Sequence, residues 1–472
     1  MHRNSARIVI AGQPVNWLGA NFWSRTGGPL MWRNYDPDTV RKELAVLREH
    51  GLGMTRSFFY WPDFMPEPDR VDDAMTDRFA DFLERHAEAD MSTVPTFIVG
   101  HMSGENWDPP WRDGRDLYTD VWMVARQAWF AGEMVRRFGA HPAVCGWLVS
   151  NEMPIYSGGS APREVIAAWA QIIRDAVRAA GGQQPFSLGD GAWGTQASSQ
   201  HAGFALADAA RLCDFLGPHV YPVGDDEVRQ HYTAAWECEL AGTFGRPVVL
   251  EEFGVSSDFV SGANAARYYR QVLHNSLLAG ATGWIGWCNS DYDDLAGQDP
   301  YRHHAFELHF GLTDSHGHPK PPLTEMKAFA ETLRAVDIGR CQRAPADTAL
   351  VVSSYLDTRR MCLPGWQTCR SRWPGRAKAS AATPCSTSCP RSSSCSRPPG
   401  TSSNDWRARA RRSTSHTHRD RPAGIAAPRM AASTRCSGSS ISSGPGWSTR
   451  SKTTRWPSPS SRTSPRWRPA PG

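Results

Sequence analysis

Two short apolar runs of this 472-residue chain end in carboxylates. Val144 to Glu152 (VCGWLVSNE) is apolar or small up to a polar Asn151-Glu152 pair, and Pro247 to Gly254 (PVVLEEFG) repeats the pattern with Glu251-Glu252 before a Phe-Gly turn. Neither run alternates polar with apolar residues, which is how a strand buried on both faces is written. A carboxylate at the mouth of such a strand is costly unless it is used. Two of them on separate strands are the equipment of glycoside hydrolysis, in which one carboxyl carries a proton and the other attacks the anomeric carbon or activates water.

The elements that must position these groups alternate as parallel β/α units do. Strand signals fall at Pro14–Trp23, Met54–Phe59, Ser92–Val99, Val144–Asn151, Pro185–Asp190, Phe215–Tyr221, Pro247–Phe253 and Gly283–Asn289, with a helical pattern after each; the first helix opens at Asp36-Pro37 and closes at Gly51, and the last runs to Val336. Eight strands and eight helices in order predict an α/β fold, a (β/α)8 TIM barrel over residues 1–340. A run at 347–355 (DTALVVSSY) predicts the first strand of a C-terminal β domain beginning within 341–360.

After that the composition breaks. Residues 361–472 hold one Leu, two Ile and no Val, Phe, Tyr or Glu, too little to bury a core. They carry 20 Lys and Arg against 2 Asp, a net of +18, so that residues 1–360 carry −13 of the whole chain's +5. Two readings fit this basic, low-complexity tail: a disordered extension, or a GC-rich gene read out of frame, which its six Trp favour because disordered tails are poor in aromatics. An acidic body argues against nucleic acid as a partner. The body's cysteines (Cys145, Cys213, Cys238, Cys288, Cys341) show no metal spacing and are expected to be reduced. The opening residues are too poor in apolar side chains for a secretory signal, and no run approaches membrane-spanning length. A cytoplasmic enzyme without a membrane partner is therefore expected, or a secreted one if the gene's start is set too late.

In a (β/α)8 barrel the reacting groups stand at the C-terminal ends of the strands. Those positions hold Arg56 on the second strand, His101 after the third, Asn151-Glu152 on the fourth, His219 and Tyr221 on the sixth, Glu251-Glu252 on the seventh and Trp287 on the eighth. Each alone has an ordinary explanation, since a strand-end Arg is commonly a solvated ion pair and a Trp is commonly core. Their joint placement raises the odds. Adjacent strand residues face opposite ways, so only one of Glu251 and Glu252 can face a cleft.

Together these positions resemble clan A of the retaining glycoside hydrolases, most closely family 5, the cellulase and β-mannanase group, over about residues 14–336. The resemblance implies Glu152 as general acid/base, Glu252 as nucleophile and Asn151 as partner of the sugar 2-hydroxyl. It implies Trp287 as the sugar platform and matches Arg56, His101, His219 and Tyr221 to the family's remaining site positions. Retention requires an ionised nucleophile, favoured by Arg56 and Tyr221, and an acid whose pKa is raised by apolar surroundings and the nucleophile's charge. Trp107 and Trp61, in polar loops after strand ends, are further candidates for sugar contacts, with Trp23, Trp193, Tyr156, Tyr292 and Asp291 behind them. The eighth loop carries Asp291, Asp293, Asp294, His303 and His304, but in no tetrahedral metal spacing. The expected function is hydrolysis of β-linked oligosaccharides, β-mannosides first and β-glucosides second, with no metal or cofactor. Rivals are a noncatalytic sugar-binding barrel and a metal-dependent hydrolase; the latter would want His-x-His on the first strand, where Asn16, Trp17 and Asn21 stand.

Overall fold

A computed structural model describes residues 7–156, 161–192, 203–222, 226–336 and 338 of the chain. The run at 347–355, the tail 361–472, Trp193 and the side chain of Tyr156 lie outside the described residues. Eight strands, β1 (Trp17–Asn21), β2 (Met54–Phe58), β3 (Ser92–Ile98), β4 (Trp147–Ser150), β5 (Phe186–Ser187), β6 (His219–Val220), β7 (Val249–Leu250, resumed at Glu252–Phe253) and β8 (Gly283–Gly286), alternate with eight helices. These are α1 (Pro37–Glu49), α2 (Asp73–Glu88), α3 (Val121–Phe138), α4 (Arg163–Ala179), α5 (Leu206–Leu212), α6 (Glu227–Gly242), α7 (Gly262–Leu278) and α8 (Pro321–Ala335). Strands β7, β8, β1, β2, β3, β4 and β5 are bonded side by side in that order, and β6 pairs in parallel with the second half of β7, His219 opposite Glu252. Backbone bonds from Asp214 to Phe186 (2.8 Å) and from His219 to Gly191 (3.1 Å) join β5 to the β6 segment. The ring is a (β/α)8 barrel.

Five of the eight helices start where their first N–H groups find a side-chain acceptor. Asp36, Asp72, Asp120, Asp226 and Ser261 each accept from backbone N–H groups of the first turns of α1, α2, α3, α6 and α7. Strands β5 and β6 are shorter than the apolar runs that announce them: β5 stops before Gly189, whose backbone is left-handed (φ 67°), and β6 begins only after Pro218, which has no N–H to donate. The run from Pro14 also divides. Gln13–Val15 pairs antiparallel with Ile8–Ile10, around a turn in which Ala11 (φ 50°) and Gly12 (φ 78°) are both left-handed, as a two-residue hairpin requires; β1 proper begins at Trp17.

That hairpin closes the lower mouth of the barrel. Ile8 packs with Trp17, Met54, Val94, Leu148, Phe215, Val249 and Ile285, contributed by the strands from their N-terminal halves. Trp17 meets Phe215 edge to face at 5.2 Å. The floor of the barrel is therefore apolar, and the polar groups of the site stand above it, toward the C-terminal ends of the strands. Trp17→Ala is expected to lower the unfolding free energy by about 3–5 kcal/mol in chemical denaturation; a loss below about 1 kcal/mol would contradict a packed floor.

Candidate active site

The upper half is built around Arg56, in the middle of β2 and fully buried. Its Nε donates to Thr96 Oγ1 (3.2 Å), Nη1 to Glu252 Oε1 (2.6 Å) and Asn21 Oδ1 (3.3 Å), and Nη2 to Asn151 Oδ1 (2.6 Å) and the Ser150 carbonyl (3.5 Å). Five N–H groups meet five acceptors from five places on four strands and the β4 exit. A guanidinium can be buried at this position only with all its donors occupied and a carboxylate among the acceptors. Arg56 also lies over the Phe58 ring, 4.8 Å from its centre.

Glu252, on β7, receives that guanidinium on one oxygen and the Tyr221 hydroxyl on the other (2.8 Å). Glu152 follows β4 in a left-handed conformation (φ 50°), its backbone N–H bonded to the Gly189 carbonyl at 2.9 Å. A non-glycine residue held there stores about 1–3 kcal/mol of backbone strain, which the β4–β5 contact sustains. His219 Nδ1 lies 2.9 Å from Glu152 Oε1 and 3.3 Å from Glu252 Oε2. One oxygen of each glutamate and a ring nitrogen of His219 all fall within 4.8 Å of one another. That is the close spacing of a retaining pair, about 5–5.5 Å, and leaves no room for the intervening water of an inverting one.

The two carboxyls differ electrically. Burial, and next the charge of Glu252, push Glu152 well above the ordinary carboxyl range, with Arg56 opposing. Burial raises Glu252 as well, but Arg56 and the Tyr221 hydroxyl pull it back, so Glu152 takes the first proton of the pair.

Above them opens a cavity of about 340 Å³, lined by Asn151, Glu152, Glu252, His101, Tyr221 and Trp287 among others. Arg56 and His219, matched above to family site positions, are not among its lining residues and bond to groups that are. His101 lines one wall, its Nδ1 3.0 Å from Asn106 Oδ1. Asn151 gives one N–H to the His101 carbonyl (2.6 Å), leaving its second N–H for a ligand. Trp107 does not line the cavity: it is buried against Tyr60, edge to face at 5.2 Å, and its Nε1 donates to the Met102 carbonyl. Trp61 is likewise buried, against Trp111, Trp23 stacks on Phe58, and the Tyr292 hydroxyl donates to the Trp23 carbonyl.

Sequence reasoning missed Glu307. This third carboxyl of the cavity comes from the loop after β8, accepts from Trp287 Nε1 (3.2 Å), and is pushed up to about 7 chiefly by burial. Phe259, Phe306 and Phe310 line the cavity beside it. The density of aromatic and histidine residues in HHAFELHF (303–310) is the one signal that could have pointed there. Two aspartates of the same loop are structural: Asp291 is paired through both oxygens with Lys320 (2.8 Å), and Asp293 bonds His309, which also bonds Asp258. Among the described residues a second close group, Glu105, Asp299 and His303, has metal-ligand chemistry, but Arg302 already grips both oxygens of Asp299 at 2.9 Å.

The loops after β3 and β8 meet over one side of the cavity. His101–Met102 and Glu105–Asn106 form a small hairpin whose Gly104 lies so close to the His304 ring that a Cβ there would be 2.2 Å from it. His303 bonds Glu105 across the same seam.

A family model described as Cellulase (glycosyl hydrolase family 5) matches residues 9–293. A search of the curated proteins finds no match. Among solved structures the chain is similar to the exo-β-1,4-mannosidase Op5Man5 from Opitutaceae bacterium strain TAV5, at 28% identity and a TM-score of 0.63 over 71% of this chain; the match spans 63% of that protein, less than two thirds of its length. It is also similar in fold to a GH5_18 protein from Streptomyces cattleya, solved in complex with Manβ1-4GlcNAc (24% identity, TM-score 0.66, 74% of this chain and 89% of that one). The endo-1,4-β-mannanase from Rhizomucor miehei shares the fold at 15% identity (TM-score 0.55, 71% and 99%). The family match covers more than half of the chain and encloses all eight barrel strands with both Glu152 and Glu252: the chain belongs to glycosyl hydrolase family 5.

Proposed function

We propose that this family 5 glycoside hydrolase is a β-mannosidase that acts by double displacement, with Glu252 as nucleophile and Glu152 as acid/base. The observation that carries the reading is the pair itself: two carboxyls at retaining distance, one paired with a guanidinium and a phenol, the other in a setting that keeps its proton. Glu252 attacks the anomeric carbon while Glu152 gives its proton to the departing glycosidic oxygen. Glu152, now a carboxylate, then takes a proton from water, whose oxygen displaces Glu252 and restores both groups. Asn151, fixed by Arg56 and the His101 carbonyl, offers its remaining N–H to the sugar 2-hydroxyl, and Trp287 presents a ring face to the pyranose C–H groups.

Mannose is favoured by the similarity to the exo-β-1,4-mannosidase Op5Man5 and by the mannosyl ligand of the Streptomyces cattleya protein. The family description, Cellulase, favours β-glucosides as the second reading. Removal of a terminal sugar, rather than internal cleavage, is supported by the similarity to the exo-acting Op5Man5 and by the packed seam between Gly104 and His304, both of which line the cavity.

Aryl β-mannoside is expected to be hydrolysed with a kcat/KM at least tenfold above the β-glucoside, β-galactoside and β-xyloside, with the β-anomer formed first by proton NMR. Glu252→Ala should abolish turnover, and Glu152→Ala should cost about 10²–10⁴-fold on poor leaving groups and far less on dinitrophenolate. A glucoside preference would replace the substrate assignment, and Glu152→Ala equally harmful to both leaving groups would remove the acid role.

The pH profile follows from the same electrostatics. Activity requires Glu252 ionised and Glu152 protonated, so the acid limb belongs to the lower and the alkaline limb to the higher apparent pKa of the pair. Glu307 adds to the rise of Glu152 by like-charge repulsion. Glu307→Gln removes that charge, stabilises the ionised form of Glu152, and is expected to move the alkaline limb of kcat/KM to lower pH; a limb that stays or moves up would show that Glu307 does not act on Glu152.

A further inference from the structure

His219 stands among three carboxyls: Nδ1 faces Glu152 and Glu252 at 2.9 and 3.3 Å, and Nε2 faces Glu251 Oε2 at 3.4 Å. Burial, and next the charge of Arg56, hold the imidazole well below its ordinary pKa, so the ring is neutral and carries one N–H. Which nitrogen carries it follows from the neighbours. Glu252 already accepts from Arg56 and Tyr221 and is the anion of the group. A bare Nδ1 lone pair aimed at that anion would repel it, whereas an Nδ1–H serves both glutamates. The proton is therefore on Nδ1, and Nε2 presents a lone pair to Glu251. A carboxylate cannot meet a lone pair, but a carboxylic acid can donate to one.

The surroundings of Glu251 agree. It is completely buried, and its Oε1 has no hydrogen-bond partner among the described residues. Gly217 on the neighbouring segment leaves the space it fills, since a Cβ there would lie 1.8 Å from the Glu251 carboxyl carbon. An anion with one bare oxygen in so tight a place would carry an uncompensated charge, while a neutral acid leaves only a carbonyl unpaired. Burial dominates its electrostatics, Arg56 opposes, and Asp190 and Glu252 add to the rise, which takes the group well above the ordinary carboxyl range. The backbone carbonyl of Glu251 accepts from Asn21 Nδ2 (2.9 Å), which fixes where the side chain starts.

We propose that Glu251 is a permanently protonated positioning residue whose O–H, donated to His219 Nε2, locks the ring in the Nδ1–H tautomer aimed at the two carboxyls of the cleft. Its use rests on the proposed role of Glu152. An Nδ1–H on Glu152 Oε1 leaves the Glu152 proton to Oε2, where the glycosidic oxygen can take it, and supplies a donor to the carboxylate that remains. The other tautomer would draw that proton toward Nδ1 and away from the sugar. No bond is broken at His219 or Glu251, and no proton passes through them.

The test is nitrogen-15 NMR of the full-length, substrate-free chain, with the His219 ring signals identified by their loss in His219→Asn. A protonated Nδ1 and an unprotonated Nε2 are expected; a protonated Nε2 overturns the proposal whatever the enzyme hydrolyses, and the assignment needs no substrate, so it does not fall with the mannosidase reading. Kinetics give a second measure. Glu251→Gln replaces a neutral donor by a neutral donor and should leave both limbs of the pH profile in place, while a downward shift of the alkaline limb would show that an anion had been removed. Glu251→Leu should lower kcat about tenfold with KM little changed, and Glu251→Gln should recover most of that loss; equal damage by Gln and Leu would count against the donated hydrogen bond.

Discussion

The upper barrel depends on one buried cation. Arg56 draws Asn21 from β1, Thr96 from β3, Asn151 and Ser150 from the end of β4, and Glu252 from β7 onto a single planar group. A planar fork with fixed donor directions dictates where each acceptor must stand, which a flexible ammonium could not do. The strands are thereby tied at their C-terminal ends by charge and hydrogen bonding, and at their N-terminal ends by the apolar floor around Trp17. Below the guanidinium the barrel is oil; above it, chemistry.

Two glutamates of the same intrinsic acidity acquire different protonation from this arrangement. Glu252 sits within reach of the cation and a phenol, and Glu152 sits a step farther, beside a neutral imidazole. Glu251 has no direct bond to either; it is fully buried, with Gly217 packed against its carboxyl. Direct contact with Arg56 and Tyr221 is what sets Glu252 apart from the other two.

Much of this was legible in the chain because the signals are positional. A polar or charged residue that ends an apolar run has few places to go in a parallel barrel, and Asn151, Glu152, Tyr221, Glu252 and Trp287 stand at or next to the ends of such runs, while Arg56 and His219 lie within theirs. Strand alternation allowed only one of Glu251 and Glu252 to face a cleft, and the family resemblance pointed to Glu252, which lines the cavity while Glu251 is not among its lining residues. What was not legible depends on loops. Trp107 and Trp61 lie in polar stretches, yet each folds inward onto an aromatic partner, since a large ring gains more from burial than its neighbours in sequence reveal. Glu307 lies in a loop without periodicity, so nothing in spacing marks it. The hairpin at Ile8–Val15 was hidden because its second strand runs into β1 with only Asn16 between them.

The register of β1 carries a kinetic consequence. Trp17–Ala20 pairs with Gly283–Gly286, so the ring joins residues from opposite ends of the described barrel. During synthesis the first strand, with its floor of Ile8 and Trp17, emerges long before its partner, and one edge of the growing sheet stays open until β8 has been made. Contacts so distant along the chain form late and slowly, and an open edge bearing WLGAN is a template for pairing with another chain. Assembly of this barrel is thus a race between closure and association, decided by how soon Gly283–Gly286 leaves the ribosome.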